Sequence, residues 1–314
     1  MNKLKKIQLM VKDFGVLFTV KYYFLKETKQ YDKYIGMVYN YLTEYLKDYI
    51  IKFNNVQNGK NIVNGKNRNI WVCWWQGEQS MPNFCKMCYD NLKKNTPSEY
   101  KIYLITRENY KQYTDIPEYI VNKMEQGLIT ITQFSDILRQ NLLLLNGGLW
   151  LDASIWVTPN YISKIDTTLP FWSIKLKKID DSNVWGQLIS KCKWGGFILY
   201  GVPDDVVFKF VYGAMCKYYY EHDSTIDYFI QNMLIRIAYD NVPVIQTRID
   251  EIQVSNENLY KLYREMDAPY EEKKWNYYCE DTGIFKLTQK REYNEYSGGK
   301  LTFYGYLKSL SAVK

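Results

Sequence analysis

The stretch that decides the fold is FSDILRQNLLLLNGGLWLDASIW, residues 134–156. Asp136 and Arg139 are spaced i, i+3 in a predicted helix, so both side chains lie on one helical face. Residues 142–145 are all leucine, which makes this helix too apolar for the surface and indicates that it is buried. Gly147-Gly148 then ends the helix, because glycine adopts a left-handed conformation without steric cost.

The residues after these glycines predict a short strand followed by an exposed carboxylate. Residues 149–151 are apolar, and Asp152 comes directly after them. In open α/β sheets, ligands bind beyond the carboxyl ends of the strands. We therefore expect Asp152 to lie in a functional site.

An earlier stretch predicts a β-α-β unit. Residues 69–75 (NIWVCWW) form a continuous apolar run, which is typical of a strand covered on both faces. Pro82 suits the first turn of a helix, predicted over residues 83–94, and the next strand is predicted over residues 100–105. This order indicates an α/β fold of the nucleotide-binding kind.

These motifs resemble the core of the retaining nucleotide-sugar glycosyltransferases of family 32 and the capsular polysaccharide synthesis proteins related to them. The glucosylating clostridial toxins share the local pattern. The family motif is Ser-Asp, two residues, Arg, an apolar run, Gly-Gly, an aromatic, a hydrophobic residue and Asp-x-Asp. Here it consists of Ser135, Asp136, Arg139, Gly147, Gly148, Trp150, Leu151, Asp152, Ala153 and Ser154. The resemblance implies a Rossmann-like fold of the GT-A type and transfer of a sugar, with retention, from a nucleotide diphosphate donor such as a UDP-sugar.

The resemblance also implies roles for individual residues. Asp136 and Arg139 would hold the hydroxyls of the donor sugar, and Asp152 would touch the ribose, the sugar or a metal ion. These three residues and Asp227 are the predicted catalytic residues. For Asp136 and Arg139 the alternative is a surface ion pair, worth about 0.3–0.5 kcal/mol.

The predicted metal site departs from the family pattern. Asp152 and Ser154 occupy the two metal-binding positions, and a neutral hydroxyl is a poorer ligand for a hard divalent cation than a carboxylate. We therefore expect Mn²⁺ or Mg²⁺ to be held mainly by the diphosphate of the sugar donor.

The resemblance places an aromatic side chain at the end of the first strand, near the nucleotide base. Trp75 is the predicted candidate, with Gln76 and Trp150 also assigned to the binding of the sugar donor. Trp71 and Trp74 compete with Trp75 for this role. The alternative is that these tryptophans all belong to the core.

Two later residues have both a structural and a functional interpretation. Asp227 lies three residues after Ser224, so it can stabilise the first turn of a predicted helix, whereas the resemblance places it near the acceptor. Lys286, in the run Ile-Phe-Lys-Leu-Thr, is either a solvated strand lysine or a cation that offsets charge on the leaving diphosphate.

Other elements follow from local signals. Residues 128–131 predict a strand, after which Thr132 or Ser135 caps the helix that carries Asp136. Residues 225–239 predict a helix capped by Ser224, and residues 242–246 are strand-like.

Composition favours an ordinary globular α/β protein. The chain has 314 residues, of which 46% are hydrophobic and 24% charged. Six cysteines do not form a disulfide framework in a chain of this size, and reduced thiols in a cytosol are expected. Cys85 and Cys88 share a predicted helix face, where a core position is favoured over a metal site.

We expect residues 1–65 to be a helical extension and residues 66–314 to be the GT-A domain. The turn-rich segment at residues 56–69 separates them. Residues 14–20 are far shorter than the roughly 20 apolar residues of a spanning helix, and lysines flank them. Either an interfacial helix on anionic lipid or a helix packed on the catalytic domain explains this pattern.

The leading hypothesis is a cytoplasmic transferase, in peripheral contact with the inner face of the plasma membrane, that builds a surface polysaccharide on a lipid-linked oligosaccharide acceptor. One alternative is a non-catalytic partner that binds sugar nucleotides. The other is an RNA-binding protein, suggested by the net charge of +7, but no RNA-binding motif is present and no nucleic acid partner is expected. A single histidine, His222, and the lack of a Walker loop argue against triad hydrolases and ATPases.

Overall fold

A computed structural model describes residues 3–56, 67–181 and 184–311. As predicted, the N-terminal region is helical. Its four helices are α1 (Lys3–Phe14), α2 (Val16–Glu27), α3 (Tyr31–Tyr45) and α4 (Lys47–Val56). The predicted turn segment at 56–69 lies largely outside the described residues, so the boundary at residue 65 stays a prediction.

A five-stranded mixed sheet forms the centre of the molecule. Its spatial order is β2 (Lys101–Ile105), β1 (Asn69–Cys73), β3 (Gly148–Leu151), β6 (Ile198–Gly201) and β5 (Phe171–Ser173). The first three strands are parallel, and β6 runs antiparallel to both of its neighbours. The predicted α/β class is therefore confirmed, and this mixed sheet with its helices is compatible with a Rossmann-like fold.

Ten further helices and two small sheets complete the described part of the chain. The helices are α5 (Asn83–Asn95), α6 (Glu118–Glu125), α7 (Ile131–Asn146), α8 (Val184–Ser190), α9 (Val206–Glu221), α10 (Ile230–Asn241), α11 (Pro243–Asp250), α12 (Lys261–Glu265), α13 (Glu272–Cys279) and α14 (Phe303–Ser311). The small sheets pair β4 (Ile155–Val157) with β7 (Ile284–Lys286) and β8 (Tyr296–Ser297) with β9 (Lys300–Leu301).

The junction between α7 and β3 explains the Gly-Gly pair. Gly147 follows α7 with φ 61°, and Gly148 has φ 101°. A Cβ atom on Gly148 would lie 2.5 Å from the backbone oxygen of Asn69, which belongs to the neighbouring strand β1. Glycine is thus required both by conformation and by the close approach of β1 and β3.

Several local predictions were wrong. Residues 128–130 form a bend rather than a strand, and Ile131 already belongs to α7, because Thr130 begins a capping box with Gln133. Thr130, and neither Thr132 nor Ser135, caps α7. Residues 242–246 do not form a strand, since Pro243 at the first helical position begins α11. The helix predicted from residue 225 begins only at Ile230.

The N-terminal helices pack against the rest of the chain. Asp13 on α1 accepts hydrogen bonds from the backbone N–H groups of Asp223 and Ser224 and from the Ser224 hydroxyl. Ser224 is therefore bound to α1 instead of capping a helix. Met10, Tyr22 and other buried residues of these helices share one core cluster with the central sheet. In the described ranges, no helix is long and apolar enough to cross a membrane.

Candidate functional site

The carboxyl ends of β1 and β3 open into a deep cleft. Because these neighbouring strands are parallel, Trp75 and Gln76 after β1 lie at the same edge of the sheet as Asp152 after β3. The cleft has a volume of about 730 Å³. This volume is within the range of small-molecule and cofactor sites.

Asp152 lies at the base of this cleft, bound by three side chains. Its Oδ2 accepts a hydrogen bond from Lys286 Nζ at 2.8 Å. Its Oδ1 accepts from the indole Nε1 of Trp150 at 3.1 Å and from Arg139 Nη2 at 3.3 Å. The Asp152 side chain is 28% exposed, so it still faces the cleft although three neighbouring side chains fix its position.

Arg139 joins the helix α7 to this carboxylate. Its Nη2 also lies 3.0 Å from Asp136 Oδ1, and its Nη1 donates to the backbone oxygen of Gly196. The guanidinium group lies 4.9 Å from the ring centroid of Trp150. Arg139 is buried and Asp136 is mostly buried, with side-chain exposures of 8% and 14%, so the pair is not the surface ion pair considered from sequence.

Lys286 reaches the cleft because β7 pairs with β4. In that register Lys286 lies opposite Ile155, and the backbone N–H of Leu287 donates to the oxygen of Ser154 at 3.1 Å. Its ammonium group donates to Ser154 Oγ at 3.0 Å as well as to Asp152. It is therefore a cleft residue, not the solvated strand lysine of the alternative interpretation.

The two carboxyl groups have opposite pKa shifts. Burial raises the pKa of Asp136 to about 6, against the opposing effect of Arg139. Burial also acts on Asp152, but Lys286 and Arg139 outweigh it and hold the pKa of this carboxyl below its usual value. Such a separation is common for neighbouring acids at functional sites.

We expect use of the sugar donor to fall as the pH drops through about 6, because protonated Asp136 loses its charge beside Arg139. The free energy of unfolding should change in the opposite direction. The native state binds more protons than the unfolded chain between pH 3.8 and about 6, so stability falls as the pH rises through this window. The measurement is the pH dependence of donor turnover and of the free energy of unfolding, in the wild type and in Asp136→Asn. The change near pH 6 should be present in both wild-type profiles and absent from both profiles of the variant.

The aromatic candidates separate into cleft and core residues. Trp75 and Trp74 line the cleft, and Trp150 lines it above Arg139. Trp75 packs against Phe134 and Tyr110, with a centroid separation of 5.1 Å to each ring. Trp71 is buried in the sheet, where its indole donates to Gly147. Trp71 is thus a core residue, whereas Trp74 and Trp75 both remain candidates for the base.

Asp227 is not brought into the cleft. Its carboxylate is buried, accepts a hydrogen bond from the Tyr34 hydroxyl on α3, lies 3.9 Å from Lys26 Nζ and accepts from the backbone N–H of Phe229 at 2.7 Å. This placement corrects the predicted contact with the acceptor: Asp227 fixes the turn before α10 and anchors the N-terminal helices. Its neighbour Tyr228 lines the cleft instead and is 54% exposed.

The sequence interpretation missed several cleft residues. Trp194 donates from Nε1 to Asn232 Oδ1 at 3.2 Å, and both line the cleft. Lys290 adds a third cationic side chain to those of Arg139 and Lys286.

The residues at the predicted metal site do not fit a metal held by the protein. The ammonium of Lys286 lies between Asp152 Oδ2 and Ser154 Oγ, which are the two expected ligands. Within the described ranges, no group of three or more His, Cys, Asp or Glu side chains is placed to hold a metal ion. Cys85 and Cys88 are buried on α5, as expected for core residues.

Comparison with known proteins identifies the family of the chain. The chain belongs to the capsular polysaccharide synthesis protein family, whose model matches residues 20–307. The suspected family is therefore confirmed over most of the chain. No curated protein matches the chain at the significance required.

Proposed function

We propose that this protein is a glycosyltransferase of the GT-A type that moves a sugar from a nucleotide diphosphate, with UDP as the expected nucleotide, to a growing capsular polysaccharide or lipid-linked oligosaccharide. Membership of the capsular family supports a role in polysaccharide synthesis. The observation that carries the proposal is Asp152, held by Arg139, Trp150 and Lys286 at the carboxyl end of β3.

The composition of the cleft suits a sugar nucleotide. Its charged lining residues, in the described chain, are Asp136, Asp152, Arg139, Lys286 and Lys290, so cations exceed anions by one. This excess favours a diphosphate. Tyr228 and the partly exposed Trp74 provide aromatic surfaces for stacking on a base or a sugar ring, while Trp75 lines the cleft with only 8% of its surface exposed.

The proposed chemistry relies on position and charge. Asp136 and Arg139 would orient the sugar, while Lys286 and Arg139 would stabilise the charge that develops on the departing diphosphate. The bond from the anomeric carbon to the diphosphate oxygen breaks with its electron pair on the diphosphate. The acceptor oxygen bonds to that carbon, and its proton passes to the released diphosphate. Retention of configuration is carried over from the family resemblance.

A panel of nucleotide sugars tests this function. The purified chain is incubated with each sugar donor, with and without lipid-linked oligosaccharide, and released nucleoside diphosphate is measured. We expect turnover with one donor class and a product whose anomeric configuration, read by NMR, matches that of the donor. Saturable binding without turnover under all conditions would instead support a non-catalytic sugar-nucleotide-binding partner, an alternative suggested by Ser154 in place of the second acid.

A further inference from the structure

The ammonium group of Lys286 occupies the position between Asp152 and Ser154, at 2.8 Å and 3.0 Å. This placement is fixed by the backbone, because Lys286 pairs with Ile155 in the β4–β7 ladder. The ammonium group also lies over the ring of Phe197, with Nζ 5.1 Å from the ring centroid. A positive charge is thus built into the site where the family pattern would place a metal.

The remaining oxygen atoms of the site are also engaged. Asp152 Oδ1 accepts hydrogen bonds from Trp150 and Arg139, and Asp136 is paired with Arg139. A divalent cation requires several oxygen ligands and keeps them at short distances. Binding between Asp152 and Ser154 would have to displace the ammonium or place two cations side by side.

We propose that Lys286 takes the role of the divalent cation, so that sugar transfer is independent of metal ions. This inference rests on the proposed function. Two of the three ammonium N–H groups are used by Asp152 and Ser154, which leaves one for an oxygen of the diphosphate. Lys286 then offsets the charge on the leaving group, and Asp152 holds Lys286 in position.

The first test compares turnover in excess chelator with turnover in Mn²⁺ or Mg²⁺. We expect the wild type to keep its activity in chelator. Lys286→Met should lower kcat by about 100- to 1000-fold, as removal of one group that stabilises developing charge does in other enzymes. Lys286→Arg should retain part of the activity, and Lys209→Met, which removes an exposed lysine paired with Asp204, should retain all of it.

The second test is calorimetry of UDP binding, which does not depend on turnover. We expect binding to the metal-free wild type, unchanged by Mn²⁺ and at least tenfold weaker in Lys286→Met, with thermal melting used to check that the variant is folded. Binding or turnover that disappears in chelator and returns with Mn²⁺ would overturn the inference, as would the absence of UDP binding under both conditions. Metal-independent UDP binding without turnover of any sugar nucleotide would refute the proposed function alone.

A different observation supports a second proposal, for helix α2. Its side toward the protein is buried through Thr19, Tyr22 and Leu25. The opposite side is apolar where a surface helix is normally polar. This apolar face of α2 consists of Val16, Leu17, Val20 and Phe24, which are 60%, 89%, 62% and 57% exposed.

Exposed lysines lie on the same pair of helices as this face. Helices α1 and α2 pack side by side, with the Tyr23 hydroxyl donating to the sulfur of Met10 at 3.6 Å. The exposed lysines of this pair are Lys3, Lys5, Lys6, Lys12 and Lys21, of which Lys12 is paired with Asp223. Protein interfaces are depleted of lysine at their core, whereas an apolar helix face accompanied by lysines suits the surface of an anionic bilayer. We therefore propose that the apolar face of α2 inserts into an anionic lipid surface, which would bring the cleft to a lipid-linked acceptor.

Cosedimentation of the full chain with vesicles tests this proposal. We expect stronger binding to vesicles that contain phosphatidylglycerol than to phosphatidylcholine alone, and weaker binding at high salt. Leu17→Asp and Phe24→Asp should each reduce partitioning by about 10- to 100-fold, since each removes the burial of one large apolar side chain. Tyr296→Asp, at a residue that is 64% exposed elsewhere, should have no effect.

Two outcomes would overturn the membrane proposal. One is equal partitioning of the wild type and the α2 variants. The other is a dimer in solution that Leu17→Asp dissociates while vesicles bind no protein, which would assign the face to a second copy of the chain.

Discussion

Asp152→Asn should reduce transfer from a nucleotide sugar by at least about 100-fold while the fold remains intact. Asparagine preserves the size of the side chain and an oxygen that can accept from Trp150. It removes the negative charge that holds Lys286 at 2.8 Å and contacts Arg139 at 3.3 Å. Lys286 would then be free to turn away from the proposed position of the diphosphate, whereas Arg139 keeps its contacts with Asp136 and Gly196 but loses its charged partner in the cleft.

Steady-state kinetics and thermal melting of the purified variant check this expectation. Asp204→Asn is the matched control, because Asp204 pairs with Lys209 on an exposed surface. Its kinetics should equal those of the wild type. Near-native turnover of Asp152→Asn with unchanged melting would remove Asp152 from the active site.

The sequence predicted those parts of the fold that depend on local patterns. The continuous apolar run at 69–75, the Gly-Gly stop and the strand before Asp152 all gave elements that the structure contains. The strand-like segment 242–246 is instead the start of helix α11, because Pro243 suits the first helical position. Intrinsic β propensity is weak enough to be overridden in this way.

The contacts that the site residues make with distant parts of the chain could not be predicted from the sequence. The i, i+3 spacing placed Asp136 and Arg139 together, but no spacing could reveal that Lys286, 134 residues after Asp152, contacts it. That contact depends on pairing between β4 and β7, which is a long-range property. For the same reason Asp227 was assigned to the acceptor: its true partner, Tyr34, lies 193 residues earlier in the chain.

Arg139→Ala should have a large effect on both stability and function. Arg139 is buried and contacts Asp136, Asp152 and the backbone of Gly196. Removal of one partner from a buried ion pair typically costs about 3–5 kcal/mol, because the remaining charge loses its compensation. We therefore expect a clearly lower free energy of unfolding, measured by urea denaturation, together with loss of turnover of the sugar donor.

Arg139→Lys separates these two effects. A lysine keeps the positive charge, so most of the stability should be retained. It cannot present the planar set of N–H donors that reaches two carboxylates and a carbonyl oxygen at once. Loss of a hydrogen bond to a charged partner costs about 1.5–3 kcal/mol, so affinity for the sugar donor should fall by roughly ten- to over a hundredfold.

Asp136→Ala shows which part of the sugar donor the pair contacts. If Asp136 holds the sugar hydroxyls, this variant should weaken binding of the UDP-sugar much more than binding of UDP alone, as measured by calorimetry. Because Asp136 and Arg139 lie 3.0 Å apart, the double variant should lose less than the sum of the single variants. Wild-type donor kinetics in both Asp136→Ala and Arg139→Lys would mean that the pair only stabilises the packing of α7 against β3. The sugar would then be held by other residues of the cleft.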